Sequence, residues 1–405
     1  MEDLDKKYHL VAFSFPCVDQ YYIKDKNGNV IPQKMTGGIS CLNVLYNIAL
    51  LKDDLSSYII GAVGNDKNGE KALESLRNVG VNTDYVQKQN RNTNVFHIII
   101  PEKITEDDSV EISEVSPLTG INTYNLPQDF RSELPEELKG ERIVLCISNF
   151  EEGTVDFIRQ AKEQCADCVI NLDVTKEGIF KNFSKEYIEE VLKQANIVQI
   201  NEKTFKALCS KLNLKDDGQS EKSENKLDFS INEDEEEQQN NERILKKASS
   251  KDDTKKQSNE NIFKKISLKE ENQEGKDKRF FEKFDFDLLT ITKGSKGATF
   301  LYKEQGKTKE LDLQAPMVYD MKDPTGAGDA FNSIMTMFYH DKILEGNREI
   351  DEKFLKRSFN TANKFVGLVV NQIGARIERR ERTPKKEQVG GQAVLGRQNI
   401  SPTPW

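Results

Sequence analysis

The segment DPTGAGDAF at residues 323–331 sets two acids, two glycines and a threonine ahead of NSIMTMFY, an apolar run of helical character. Gly326, Ala327 and Gly328 carry no bulky side chains, so their backbone N–H groups are free to approach an oxyanion closely. The positive end of the next helix favours negative charge at the same place. The segment therefore reads as a phosphate-handling turn. Asp329, at the helix entrance, has two readings. A lone aspartate there ordinarily caps the helix; set against a phosphate cradle, it takes a proton from an attacking hydroxyl as a general base. Such a loop alone leaves nucleotide kinase, GTPase and dehydrogenase open. GNDKNGEK at 64–71 resembles a P-loop only superficially, because Gly69 is followed by Glu70 rather than lysine, and no glycine-rich dinucleotide fingerprint comes after the first strand.

Outward from that turn, short apolar runs of β type alternate with helical patterns. LVAFSF, SYIIGAV, IVLCIS, CVINLDV, IVQIN and LLTITKG are the strand candidates. Between them NVLYNIALL, GEKALESLRNVG, TVDFIRQAKEQ and YIEEVLKQA space apolar residues by three and four, which makes one buried face on each helix. This alternation predicts an α/β fold with a mainly parallel sheet covered by helices on both faces. Two early segments break it. About residues 18–36, around the turn pair Asn27-Gly28, and about residues 92–116 read as extended pairs. They predict a small accessory β-sheet, a lid able to cover a cleft.

Composition limits the rest. Apolar residues make up 36% of 405, low for a fully packed chain of this length, and the formal charge is −9. An acidic chain lacks the basic face of a general nucleic-acid binder. No run approaches the roughly 20 apolar residues that span a bilayer, and MEDLDKKYHL does not read as a leader. The expectation is a soluble, cytoplasmic protein without nucleic-acid partners or membrane spans. Residues 211–282 are dominated by charged and amide residues and read as a disordered insertion; residues 376–405, with the lone Trp405, read as an irregular tail. Either segment is solvated length or a docking site for a protein partner. The six cysteines are scattered, so reduced and mostly buried thiols are expected; Cys165 and Cys168 in CADC have metal-ligand spacing but no second pair nearby. His9, His97 and His340 stand apart from one another in the sequence and receive no role.

DPTGAGDAF closely resembles the C-terminal signature, usually written D, T, x, G, A, G, D, of the ribokinase-like (PfkB) carbohydrate and nucleoside kinases. TGGISCLNVLYNIALL with GAVGNDKNGEKALESLRNVGV resembles the N-terminal signature and the strand and helix after it. LTGINTYNLPQDF resembles a substrate-side segment of the sugar kinases, INEKTFKAL an acidic Asn-containing motif, and LLTITKGSKGATFLY a nucleotide-side strand and turn. The matches run in family order over residues 8–375, which sets the expected domain: a ribokinase-like three-layer α/β/α unit with a β lid.

The resemblance implies an ATP-dependent, Mg2+-requiring kinase. It makes Asp329 the catalytic base and Gly326, Ala327 and Gly328 the amides that stabilise the transferring phosphoryl group. Asp323, Thr325, Lys293, Gly294, Asn363 and Asn201 fall on the nucleotide side; Asp19, Gly37, Gly38 and Asn43 fall on the acceptor side. In relatives the lid strands pair between subunits, which implies a homodimer. Two departures stand out. The family spaces its asparagine four residues after the second glycine, where this chain has Leu42, with Asn43 one position late; either Gly38 is the first glycine of the motif or the turn carries an extra residue. The acidic motif ends in Thr204 instead of glutamate, leaving Glu202 as the substitute metal contact. The acceptor implied is a ribose- or fructose-like sugar. A nucleoside of adenosine type is the alternative within the same chemistry, and a weak or inactive kinase-fold scaffold is the alternative outside it.

Overall fold

The computed structural model describes residues 8–377 except 53, 103–110, 116–119, 122–129, 131–132, 149, 151–152, 176–182, 215–274 and 319–320. The chain opens with β1 (Tyr8–Phe13), β2 (Cys17–Lys24), β3 (Val30–Gly38), α1 (Ser40–Leu51), β4 (Ser57–Gly64), α2 (Lys67–Arg77) and β5 (Val86–Gln89). Four short strands come next, β6 (Asn92–Thr93), β7 (Val95–Pro101), β8 (Glu111–Val115) and β9 (Gly120–Ile121). Alternation then resumes with β10 (Arg142–Ser148), α3 (Thr154–Gln164), β11 (Asp167–Val174), α4 (Lys185–Gln194), β12 (Ile197–Asn201), α5 (Glu202–Lys211) and a helix α6 over 275–284. The last elements are β13 (Leu288–Thr292), β14 (Ala298–Glu304), β15 (Lys307–Leu313), α7 (Ala327–Leu344) and α8 (Glu352–Val370).

Nine strands form one sheet in the order β15-β14-β13-β12-β11-β10-β1-β4-β5, parallel from β5 to β13, with β14 and β15 antiparallel at one edge. Because successive strand side chains point to opposite faces, β10 sends Ile143, Leu145 and Ile147 into a core shared with α3, α4, α5 and α6, and Val144 and Cys146 into a second core shared with α1, α2, α7 and α8. The expected three layers result. β3-β2-β7-β8 make the separate sheet, with β2 and β7 parallel and the outer pairs antiparallel, and this is the expected lid. In GNDKNGEK, Asp66 caps α2 by accepting from Gly69 N at 2.7 Å and also takes the Thr93 N–H at 2.7 Å, so the segment ties α2 to β6.

The structure moves two boundaries. Helix α6 overlaps the end of the span expected to be insertion, because KDKRFFEKFDFD is amphipathic: Phe280, Phe281, Phe284 and Phe286 are buried in the core while charged residues stand between them. At the other end, Arg376 is buried at 4% exposure although the composition assigns it to the start of the tail. The segments 215–274 and 378–405, with Trp405, lie outside the described residues, as does most of LTGINTYNLPQDF. None of the six cysteines is joined in a disulfide. Burial pushes the Cys165 and Cys168 thiols up to about 11 and about 12, and among the described residues no group of three or more His, Cys, Asp or Glu is placed to hold a metal. No helix among the described residues is long and apolar enough to cross a membrane.

Helix α6 carries two testable contributions to stability. Phe280 is fully buried and meets Phe205 and Phe284 edge-on at 5.1 and 5.0 Å, so Phe280→Ala is expected to cost about 3–5 kcal/mol in a urea titration. Asp277 is buried at 5% exposure, and burial, then the nearby Glu310 carboxylate, push its carboxyl up to about 7. The folded chain thus holds a proton that the unfolded chain has lost, so this group's contribution to stability falls as pH rises from about 4 to about 7. Asp277→Asn is expected to raise the urea midpoint at about pH 8 and leave it nearly unchanged at about pH 4.

Candidate active site

The sheet order reverses beside β1, whose neighbours are β4 on one side and β10 on the other, and such a reversal opens a crevice at the carboxyl ends of the strands. Ser148, Asp173 and Gln199 form a row there, in register across β10, β11 and β12. Each anchors the start of a helix. Ser148 Oγ accepts from Cys41 N at 2.6 Å in the first turn of α1, Gln199 Nε2 donates to Gly328 O at 3.0 Å in the first turn of α7, and Asp173 Oδ2 lies 2.6 Å from Ser40 Oγ. The positive ends of α1 and α7 therefore meet at the same end of the sheet.

The glycine turn is held from below. Asp323 is fully buried and accepts from Thr325 N at 2.8 Å and from Gly374 N at 2.7 Å. Burial raises its pKa against the effect of those donors. Gly326 adopts φ 81°, and a Cβ there would sit 2.3 Å from the Ala375 Cβ, so only glycine fits. Ala327 N closes the turn on Pro324 O at 3.1 Å, while Gly328 is exposed with open space where a side chain would stand.

Asp329, in the first turn of α7, is half-buried and engaged on both oxygens. Ser40 Oγ meets Oδ1 at 2.5 Å, and Asn43 Nδ2 donates to Oδ2 at 2.6 Å. Arg376 holds Asn43 in turn: its Nε donates to Asn43 Oδ1 at 2.8 Å, its Nη1 donates to Ser75 Oγ at 2.7 Å, and the guanidinium stands 4.9 Å over the Tyr46 ring. Burial lowers the Arg376 pKa, while the Asp19 charge opposes that shift. Asp19 is buried on β2, with Gly37 and Gly38 on the adjacent strand β3; a Cβ on Gly38 would lie 2.2 Å from Asp19 Oδ1, so the glycine makes room for the acid. Tyr21 OH donates to Asp19 Oδ2 at 3.4 Å and accepts from Ala375 N at 3.2 Å, linking the lid to the C-terminal loop.

The spacing from the glycines to Asn43, which has two readings in the sequence, is bridged by a turn at Ile39. Gly37 and Gly38 end β3, Ile39 takes φ 78°, and α1 begins at Ser40, which carries Asn43 to Asp329 while Leu42 enters the core. A β-branched residue in that conformation costs about 1–3 kcal/mol and persists only where surrounding contacts hold it.

The nucleotide-side residues are less convergent. Lys293 pairs with Asp312 at 3.0 Å, and Gly294 opens a short 3-10 turn at φ 59°. Asn363 Nδ2 donates to Phe359 O within its own helix. Asn201 caps α5 by accepting from Thr204 N at 2.8 Å and donates to Thr175 O at 3.2 Å. Thr204 is buried, and Glu202 pairs with Lys206 at 3.0 Å. The structure thus brings Asp19, Gly38, Asn43 and Asp329 into one linked cluster with the glycine turn. It adds three residues that sequence reading passed over: Ser40, Asp173 and Arg376. Asp173 alone left a trace, an acid near the end of the apolar strand CVINLDV.

The model of the pfkB family carbohydrate kinases matches residues 32–235, half of the chain, a stretch that holds Gly37, Gly38, Asn43, Asp173 and Asn201 and stops short of the glycine turn. No curated protein matches the chain. Among solved structures, adenosine kinase from Sinorhizobium meliloti aligns at 15% identity with a TM-score of 0.59, covering 92% of this chain and 96% of its own. Ribokinase from Thermotoga maritima aligns at 13% identity and TM-score 0.55, covering 91% and 94%. Aminoimidazole riboside kinase from Salmonella enterica, solved with aminoimidazole riboside and an ATP analog, aligns at 18% and 0.55, covering 90% and 95%. Three-layer architecture, lid and family match agree: the chain belongs to the pfkB family of carbohydrate kinases and is a phosphotransferase.

Proposed function

We propose that this protein transfers the γ-phosphoryl group of ATP to a hydroxyl of a small ribose- or fructose-like sugar, with Asp329 as the general base. The observation that carries the reading is the placement of Asp329: one helical position beyond an open glycine turn, oriented on both oxygens by Ser40 and Asn43. Phosphoryl transfer asks little covalent chemistry of the protein and much positioning and charge stabilisation. The Ala327 N–H is already used within the turn, so Gly326 and Gly328 are the residues whose amides we assign to the phosphoryl oxygens. Asp19, kept in place by the space at Gly38, is assigned to the acceptor's other hydroxyls, each of which needs a partner once removed from water. Asp329 then takes the proton of the attacking hydroxyl as that oxygen bonds to phosphorus and the ADP oxygen leaves.

Lys293, Gly294, Thr325, Asn363 and Asn201 are proposed to face the nucleotide, Lys293 by exchanging Asp312 for phosphate. Mg2+ typically keeps several waters and binds through one or two carboxylates and the substrate's phosphates. Glu202, released from Lys206, is the carboxylate we assign to that mode. A nucleoside acceptor is the second reading, supported by the similarity in fold to adenosine kinase. A homodimer through the lid is part of the proposal, because the lid edge strand β3 exposes Val30 and Ile31 at 45% and 46%.

The test is ATP consumption with magnesium against pentoses, hexoses and nucleosides. Turnover on one class is expected, and Asp329→Asn should lower kcat by about 10²–10⁴ while ATP binding persists. Folded protein that binds ATP and turns over no acceptor would sink the kinase reading in favour of a scaffold. Gly38→Ala should push Asp19 aside and raise KM for the acceptor about tenfold or more, with a smaller effect on kcat. An unchanged KM would remove Asp19 from the acceptor site.

A further inference from the structure

Ser40 Oγ lies 2.6 Å from Asp173 Oδ2 and 2.5 Å from Asp329 Oδ1. Each of these contacts is a hydrogen-bond distance between oxygens, and a serine hydroxyl has one hydrogen. If both carboxylates were ionised, one contact would set two lone pairs against each other. The bridge closes only when a carboxyl supplies the second hydrogen. Asp173 is the more deeply placed of the two, at 4% exposure against a half-buried Asp329, and the cost of burying charge leaves the proton there.

We propose that Asp173 is a positioning residue that carries a proton in the working enzyme, donating it to Ser40 Oγ so that the Ser40 hydroxyl is committed to Asp329. This deepens the kinase reading above and rests on it. Among the groups packed around Asp173, hydrogen bonds from Ser40 and Asn332 favour its ionised form, and burial with the Asp329 charge outweighs them. From α7 come Asp329 and the Asn332 amide, from α1 Ser40, from β10 Ser148 and the Cys146 thiol, and from β12 Gln199. Arg376 acts on the far side of the cluster, through Asn43 on the other oxygen of Asp329. Burial, then the Asp329 charge, push the Asp173 carboxyl up to about 7. Below that pH the chain Asp173 to Ser40 to Asp329 is complete. Above it, a second carboxylate competes for the one serine hydrogen, the bridge opens, and negative charge is added where a triphosphate must approach. The favourable form is therefore the one present at lower pH, and kcat falls as pH rises through about 7.

The experiment has two arms. Infrared difference spectra of parent against Asp173→Asn, without substrates, should show a protonated-carboxyl C=O band at about pH 6 that belongs to Asp173 and disappears by about pH 8.5. In turnover assays the parent's kcat should drop on the order of tenfold across the same interval, and the drop should be absent in Asp173→Asn, whose amide donates to Ser40 at every pH. Ser40→Ala, which keeps both carboxylates and breaks the bridge, should lower kcat at about pH 6 and flatten the profile, with its fold checked by circular dichroism. Absence of the infrared band at about pH 6, or the same pH dependence in Asp173→Asn as in the parent, would overturn the proposal. A parent without any turnover would instead count against the kinase reading, while the infrared arm still decides whether Asp173 holds the proton.

Discussion

The buried carboxylate of Asp323 is the contact on which the site rests. By accepting from Thr325 N and Gly374 N it ties the glycine turn before α7 to the loop after α8. That bond sets the approach of Gly326 to Ala375, places Ala375 N against Tyr21 of the lid, and delivers Arg376, the next residue, to Asn43 and so to Asp329. Turn, lid and C-terminal loop are thereby one unit. Burial penalises the Asp323 charge, and the hydrogen bonds from Thr325 and Gly374 offset part of that penalty.

Charge in the cluster is divided between its two ends. Asp173 and Asp329 lie at the starts of α1 and α7, whose partial positive charge faces them beside the glycine turn, while Asp19 and the buried cation Arg376 lie toward the lid. Polyol hydroxyls and an anionic triphosphate demand that kind of division. A neutral Asp173 keeps the acidic end from repelling the phosphoryl group, which links the pH behaviour of one buried side chain to the geometry of the base.

The fold was legible because its signals are long and repeated. Strands such as IVLCIS and CVINLDV are apolar on both faces, as a sheet covered on both sides requires, and the lid segments broke the βα rhythm where the separate sheet forms. The helix over 275–284 was hidden because its charged flanks dominate composition, whereas burial depends on Phe280, Phe281 and Phe284. Asp329, Asp19 and the glycines were readable through a motif in which each residue type answers a local need. Ser40, Asp173 and Arg376 were not, because their importance lies in contacts across 133, 289 and 333 residues of chain, which local pattern does not encode. Asn201 has a local contact as well: the motif singled it out for the nucleotide, and in the structure its side chain caps α5.

The most direct measurement is a crystal structure with a non-hydrolysable ATP analogue and the acceptor that gives turnover. The accepting hydroxyl is expected within about 2.6–3.2 Å of an Asp329 carboxylate oxygen and in line with the γ-phosphorus, with Gly326 and Gly328 amides facing the phosphate oxygens. An acceptor whose hydroxyl lies beyond hydrogen-bond reach of Asp329, or a triphosphate seated away from the glycine turn, would contradict Asp329 as the base.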